Sequence, residues 1–551
     1  MKKRSGGNIL VECLRAHGVK KIFCVPGESY LDALDALHDA DDIQTVTCRQ
    51  EGGAAFMAEA YAKLTGHAGI CFVTRGPGAC NAAIGVHTAM QDSTPMILLV
   101  GQVARDQMGR EAFQEIDYRQ MFAPPITKWA VQIEKADDIP RVMQEAFDIA
   151  TTGRPGPVVV ALPEDMLCDQ SDSVVLPPQT PAHFAPTAVQ MEKLKELLRG
   201  VERPLVIVGG GSWKAADIAI FEKACARLHL PVITSFRRQD SFANSHACYA
   251  GVLGTTVDAQ LCTAVRESDL IVAVGTRLGE ILTQGYTLIT PPKPAQKLVH
   301  VYPDAAELNK VYQAELAIHA PVAEFAAALE KVEMPEAIRF EKRTNSLHAR
   351  YISWSTPPGR DKFSLDIDGV IADLIAHLPE DAIITTDAGN FSGWAQRYIR
   401  YQRPMRLLAP TSGAMGYGVP SAVAASIAAP GRTVVGFMGD GGFMMTGQEI
   451  ATAMQAGAKP VLLVFNNAMY GTIRMHQEKH YPGRVSATDL VNPDFAALAR
   501  SYGALGLAVE KTADFLPALH QALSADRLSL IELRMDREQI TTQKKLSELS
   551  A

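Results

Sequence analysis

Asp440 and Asn467 set the chemistry that this chain offers. Asp440 stands in Gly439-Asp440-Gly441-Gly442, and Asn467 closes Asn466-Asn467 behind the apolar run Val461-Leu-Leu-Val-Phe465. One carboxylate and one neutral amide oxygen suit a hard cation, Mg²⁺ or Ca²⁺, that keeps its other positions for phosphate oxygens and water. Gly441 and Gly442 let the backbone approach a phosphate, and a helix starting there points its N–H groups at the anion. The residue types suggest a metal-bridged diphosphate. A plain glycine turn followed by an Asn-Asn turn is the other reading of the same letters.

The elements around them favour the first reading. Arg432-Thr-Val-Val-Gly-Phe-Met438 is a short β-branched run, and the residues between Gly442 and Val461 have helical periodicity. The pattern is strand, acidic glycine turn, helix, strand, polar turn. In a parallel βαβ unit both strands end at one edge of the sheet. The spacing therefore predicts that Asp440 and Asn467 emerge side by side.

Gly439-Asp440-Gly441, residues 442–465 and Asn466-Asn467 together resemble the diphosphate-metal signature of thiamine diphosphate (ThDP) enzymes. The chain is similar to the acetolactate synthase branch of that family along nearly its whole length. The resemblance implies an α/β chain of three doubly wound parallel-sheet domains: pyrimidine-binding, central and diphosphate-binding. It implies ThDP and Mg²⁺ as cofactors. Asp440, Asn467 and the backbone carbonyl of Met469 match the metal ligands, and Gly471 and Thr472 would start the next helix against the phosphates. In Ser412-Gly-Ala-Met-Gly-Tyr-Gly418, Met415 resembles the apolar residue that keeps the cofactor bent, and the Gly413 carbonyl would hold its amino group. Gly389 and Asn390, in Asp387-Ala-Gly-Asn-Phe-Ser392, resemble the loop closing over the diphosphate, although they would serve any β-to-α turn.

Glu51 opens Glu51-Gly-Gly-Ala-Ala55 behind the strand candidate Gln44–Cys48. By type alone it is an acid satisfying a helix dipole. It aligns with the family's activating glutamate. There, a carboxyl bonded to the aminopyrimidine favours the imino tautomer, whose nitrogen takes the proton from the thiazolium C2. In the family this glutamate reaches the cofactor from a second subunit. A homodimer is thus the smallest active unit implied, with a homotetramer as the larger alternative.

Phe113 and Gln114, in Ala112-Phe-Gln-Glu115, and Lys128 resemble residues lining the substrate channel. An amide and a cation suit the carboxylate of a 2-oxo acid; residue type alone would leave them in a solvated loop. There is no adjacent His-His pair of the kind that simple 2-oxo acid decarboxylases carry, which favours carboligation. The implied reaction is decarboxylation of a 2-oxo acid and acyl transfer to a second carbonyl, with two pyruvates as default. The alternatives are a ThDP-dependent C–C lyase or ligase on other substrates, of 2-hydroxyacyl-CoA lyase or aromatic acyloin type, and a non-catalytic protein keeping the fold.

Departures from the branch concentrate on the acceptor side. Its central domain usually reads G-x-R-F-D-D-R, the last arginine holding the second substrate; here the stretch is Gly275-Thr-Arg-Leu-Gly-Glu-Ile281. The tryptophan that selects 2-oxobutyrate aligns with His476, either a polar acceptor contact or a plain helix residue. The usual G-M-L-G-M-H-G appears as Gly251-Val-Leu-Gly-Thr-Thr-Val257. FAD stays open: Gly209-Gly-Gly211 and Arg277 fit it, whereas the lost Asp-Asp-Arg and Tyr302 do not.

The whole chain sets bounds. Its 551 residues suffice for several domains, and 47% hydrophobic with 21% charged residues is the balance of a globular protein. Net charge −7 gives no footprint for nucleic acid. Nine cysteines form no C-x-x-C pair, so free thiols in a reducing compartment, the cytoplasm, are expected. No apolar run reaches the ~18 residues of a membrane span. Composition shifts place a pyrimidine-binding domain at 1–165, a central domain at 187–330, a diphosphate domain at 362–536, and a polar tail at 537–551 expected to fray or act as a lid. A regulatory subunit is not readable either way.

Overall fold

The computed structural model of the chain describes residues 3–179, 184–211, 213–359 and 363–549. The boundary expected at Lys362 and the last two residues of the tail lie outside the described residues. Three six-stranded sheets, parallel throughout, dominate the fold. In space the first runs Gln44–Thr47, Lys21–Cys24, Gly69–Val73, Met96–Gln102, Pro157–Pro163, Trp129–Gln132. The third runs Arg406–Leu408, Ile383–Thr386, Val434–Gly439, Val461–Asn466, Ser529–Arg534, Leu505–Val509. Numbered along the chain within each domain, both have the order 2-1-3-4-6-5. The middle sheet has the dinucleotide-fold order 3-2-1-4-5-6, with Pro204–Val208 as its first strand and Leu270–Val274 as its fourth.

The inner strands are apolar because helices cover both their faces. Val461–Phe465 and Met96–Gln102 are buried at every position. The first and third sheets share one core. It runs from Phe23, Cys71 and Leu98 through Phe56 and Tyr417 to Val434, Leu462 and Leu530. Helices Glu51–Thr65 and Gly418–Ala428 meet in its centre. Both are rich in Gly and Ala, which lets helix axes approach closely. A Cβ on Gly85 of helix Pro77–Asp92 would sit 2.3 Å from the Cβ of Ala55. The middle domain keeps two cores of its own.

The tail departs from expectation. Gln539 and Ile540 are buried, Gln539 donating to the carbonyl of Leu365 at 2.8 Å and accepting from the N–H of Ile367 at 3.0 Å. Ile540 packs with Met469 and Leu549. The polar letters hid this, because one apolar and one amide side chain do the anchoring. Among the described residues no helix is long and apolar enough to cross a membrane.

Candidate active site

Strands Val434–Gly439 and Val461–Asn466 are parallel neighbours, with Gly439 opposite Phe465. Asp440 and Asn467 therefore leave the sheet at adjacent tips, as their spacing predicts. Helix Asp440–Thr446 begins at the aspartate. One cavity of about 210 Å³ opens there. Gly439, Asp440, Gly441 and Gly442 form one wall, Asn467, Met469, Gly471 and Thr472 the second, and Gly389, Asn390, Gly413 and Met415 the third. The twelve residues expected to hold the cofactor and metal in the third domain thus share one cleft, and its lining comes entirely from residues 388–540.

The glycines of the turn are sterically required. A Cβ on Gly441 would lie 2.5 Å from the Tyr470 ring, and one on Gly442 2.8 Å from Asp387 Oδ2. Both leave bare backbone facing the cleft. The donor set is one carboxylate, one amide oxygen and main-chain carbonyls; among the described residues no three His, Cys, Asp or Glu side chains cluster for a metal. That oxygen set fits Mg²⁺, a hard cation, better than zinc, which favours His and Cys.

Asp440 is buried and held from two sides. Its Oδ1 accepts from Gly441 N at 2.9 Å and its Oδ2 from Asn492 Nδ2 at 2.8 Å. Burial pushes its carboxyl above the usual carboxylate range, while these donors and the N–H groups of Ala468 and Met469 pull it down. Asn467 Oδ1 accepts from Met469 N at 3.2 Å, which curls the loop at the cleft that Met469 also lines. Asn390 and Thr472 clasp each other across the opening: Asn390 N donates to Thr472 Oγ1 at 3.1 Å, and that hydroxyl donates to Asn390 Oδ1 at 3.0 Å.

Sequence reasoning missed two supports. Asn492 also donates to Asn466 Oδ1 at 2.9 Å, and so ties the two strand tips together; its Asn-Pro context signalled only a turn. Asp387 was read as part of a loop motif and given no task. It is fully buried and accepts from the N–H groups of Ala388, Gly416 and Gly418 at 2.6–3.2 Å. Burial pushes its carboxyl up to about 6, against those hydrogen bonds. It folds the Met415 loop over the cleft, and Gly416, at φ +85°, makes the necessary bend.

The remaining expected residues lie elsewhere. Glu51 opens helix Glu51–Thr65 and its Oε2 accepts from Asn81 Nδ2 at 2.9 Å. Phe113 is exposed, beside the Arg75 guanidinium. Gln114 has φ +66° and packs on Gly76. Lys128 Nζ donates to the carbonyls of Ile149 and Thr152, the latter at 2.7 Å, at the end of helix Ile139–Thr151. Burial lowers its ammonium to about 8. His476 lies on helix Gly471–His480, its ring stacked with His480 at a 6.2 Å centroid separation. Where the three domains meet, a cavity of about 440 Å³ is lined by Gly210, Gly275, Arg238, Arg277 and Tyr302 of the middle domain, Asp92 and Ser93 of the first, and Thr411 and Ser412 of the third.

Comparison with known proteins agrees with this geometry. Residues 4–121 match the N-terminal TPP binding domain of thiamine pyrophosphate enzymes, residues 191–329 their central domain, and residues 387–533 their C-terminal TPP binding domain. The chain is 33% identical to the acetolactate synthase large subunit of Parasynechococcus marenigrum, over 97% of this chain and 88% of that one. It is 31% identical to the isozyme 2 large subunit of Escherichia coli, over 97% and 96%. The Lactococcus lactis large subunit is 32% identical over 91% and 88%. With its cleft, its three matched domains and these relatives, the chain belongs to the thiamine diphosphate enzymes, in their acetolactate synthase-like branch.

Proposed function

We propose that the chain decarboxylates one 2-oxo acid and joins its acyl carbon to the carbonyl of a second, with two pyruvates giving acetolactate as the default pair. The observation that carries this reading is the cleft at Asp440 and Asn467, built as ThDP and Mg²⁺ require, in a chain whose relatives bear the name acetolactate synthase. When bound, ThDP supplies a carbon nucleophile and an electron sink for the departing carboxylate. Asp440, Asn467 and the Met469 carbonyl would hold Mg²⁺. Backbone at Gly441, Gly442 and Gly471 would hold the diphosphate. Met415 and Gly413 would orient the rings.

Glu51 would hold the proton exchanged with the aminopyrimidine. Within one chain it is absent from the lining of the Asp440 cleft, which supports its delivery from a second copy and hence a homodimer or homotetramer. Gln114 is the proposed contact for the substrate carboxylate, with Phe113 beside it. Lys128 would have to leave two carbonyls to join them, and we infer that it fixes the end of helix 139–151 instead. His476 and His480 stand as acceptor-side candidates. In the middle domain, Gly210 and Gly275 at the strand tips with Arg238 and Arg277 suit a nucleotide diphosphate, and FAD is the occupant to test. The nine free thiols support a reducing cytoplasm.

Purified protein incubated with pyruvate, ThDP and Mg²⁺ tests all of this in one experiment. Acetolactate with CO₂ in the mass spectrum is expected, and the visible absorbance reports flavin. Turnover confined to 2-hydroxyacyl-CoA or aromatic acyloin substrates would replace the pyruvate reading with the lyase alternative.

A further inference from the structure

A second buried acid stands behind Glu51. Glu449 lies in the short turn Gly447–Glu449, which continues directly from the helix that Asp440 opens. Its side chain is fully buried, yet it points out of its own domain. Oε1 accepts from Arg49 N at 3.1 Å and from Gln50 N at 2.9 Å, and Oε2 from Arg49 N at 3.2 Å. The hydroxyl of Thr452 donates to Oε2 at 2.5 Å. Gln50 is the N-cap of helix Glu51–Thr65, its own Oε1 accepting from Gly53 N at 2.9 Å. The carboxylate of the third domain therefore grips the two peptide units just before Glu51.

The residue types are matched to that grip. Two adjacent N–H groups need an acceptor, and a carboxylate takes both without bringing an amide donor that must be satisfied in turn. Negative charge at a helix N-terminus is favourable as well. Burial raises the Glu449 carboxyl above its usual range, while Thr452 and the two N–H groups oppose that. Gly53 makes room: a Cβ there would meet Glu449 Oε1 at 2.6 Å. A second tether runs beside it, from the Arg49 guanidinium to Gln455 Oε1 at 2.7 Å. An interface needing only adhesion would be served by apolar contact; this one fixes the direction of a particular helix start.

We propose that Glu449 is a positioning residue for Glu51: it fixes the turn that aims the activating carboxyl, and so ties the diphosphate helix of a chain's own cleft to the acid which that chain offers to its partner. This rests on the reading of Glu51 as the activating acid. The direct readout is hydrogen–deuterium exchange at the C2 position of bound ThDP, followed by NMR after acid quench in the full-length holoprotein. Glu449→Leu keeps most of the volume and removes the acceptor that both N–H groups share. It is expected to slow the exchange about 10–100-fold, the cost of misplacing a reacting group by roughly an ångström. ThDP affinity and the KM for pyruvate should stay within about 3-fold, since nothing in the Asp440 cleft changes.

Gly53→Ala pushes on the same carboxylate from the other side and suits a helix interior. It should slow exchange in the same direction, and it decides the matter if Glu449→Leu does not fold. Glu51→Gln serves as reference. Exchange at the wild-type rate in Glu449→Leu or, failing that, in Gly53→Ala, while Glu51→Gln is slow, would overturn the positioning role. Wild-type exchange in Glu51→Gln would instead remove the activating role on which it rests. A matched loss of exchange and ThDP affinity in Glu449→Leu would mean a general collapse, and would also overturn it.

Discussion

The first and third sheets have one topology and opposite chemistry at their strand tips. After the third strand, the third domain places Asp440 and a glycine turn; the first domain places Arg75, paired with Glu28 and Glu164. After the second strand, the third domain runs through Gly413 and Met415 into helix 418–428, and the first places Glu51 at the start of helix 51–65. These two helices occupy equivalent positions and pack on each other. On the proposed function, one copy of the fold holds an anion and a metal at a glycine turn. The other keeps a structural cation at that tip and contributes a single acid from its neighbour. A strand order thus fixes where groups emerge, and the turn residues decide what they do.

Four experiments press on that contrast, from the largest effect down. Glu51→Gln should reduce turnover by at least about 100-fold while ThDP still binds, because the group removed is a proton carrier; steady-state rates with cofactor titration check both halves. Asp440→Ala should weaken Mg²⁺-dependent ThDP binding by more than about 100-fold, given that changes behind a metal ligand alone cost about 10–100-fold. Asn492→Ala falls in that lesser range, since it frees Asp440 Oδ2 and leaves the ligand itself in place; calorimetric titration at fixed Mg²⁺ resolves the two variants. The smallest effect concerns Asp387. Its folded carboxyl titrates near 6 against an ordinary 3.8, so between those values the folded chain holds a proton that the unfolded chain gives up. Its contribution is therefore full below about pH 4 and falls, by up to about 3 kcal/mol, as pH rises to about 6. Urea unfolding across that window should show a shallower decline in Asp387→Asn than in the wild type, since the raised carboxyls of Asp440 and Glu449 remain.

The inner strands were legible, and of the six edges only Gln44–Thr47 was. Ile383–Thr386, Val434–Gly439 and Val461–Asn466 read as apolar runs because both faces are covered. Trp129–Gln132, Leu316–His319, Arg406–Leu408 and Leu505–Val509 escaped, all at sheet edges, where half-exposed positions break the run. Tyr249–Val252, also an edge, is buried but only four residues long. The cleft was legible because its ligands lie close to glycine turns with fixed spacing. Asn492 and Glu449 were not, since each acts on a partner far away in the chain. Gln539 was hidden in the same way, as an anchor inside a segment whose composition suggests fraying.

The shared core also has a consequence for biosynthesis. Helix Glu51–Thr65 is covered by helix Gly418–Ala428, which leaves the ribosome about 350 residues later, or roughly 20–70 s at ordinary synthesis rates. Through that interval the Gly- and Ala-rich face bearing Phe56 has no cover from its own chain, while the middle domain can close on itself. A nascent chain stalled before Tyr417 would expose a ready ligand for a chaperone, and one released there would present the same face to other truncated copies.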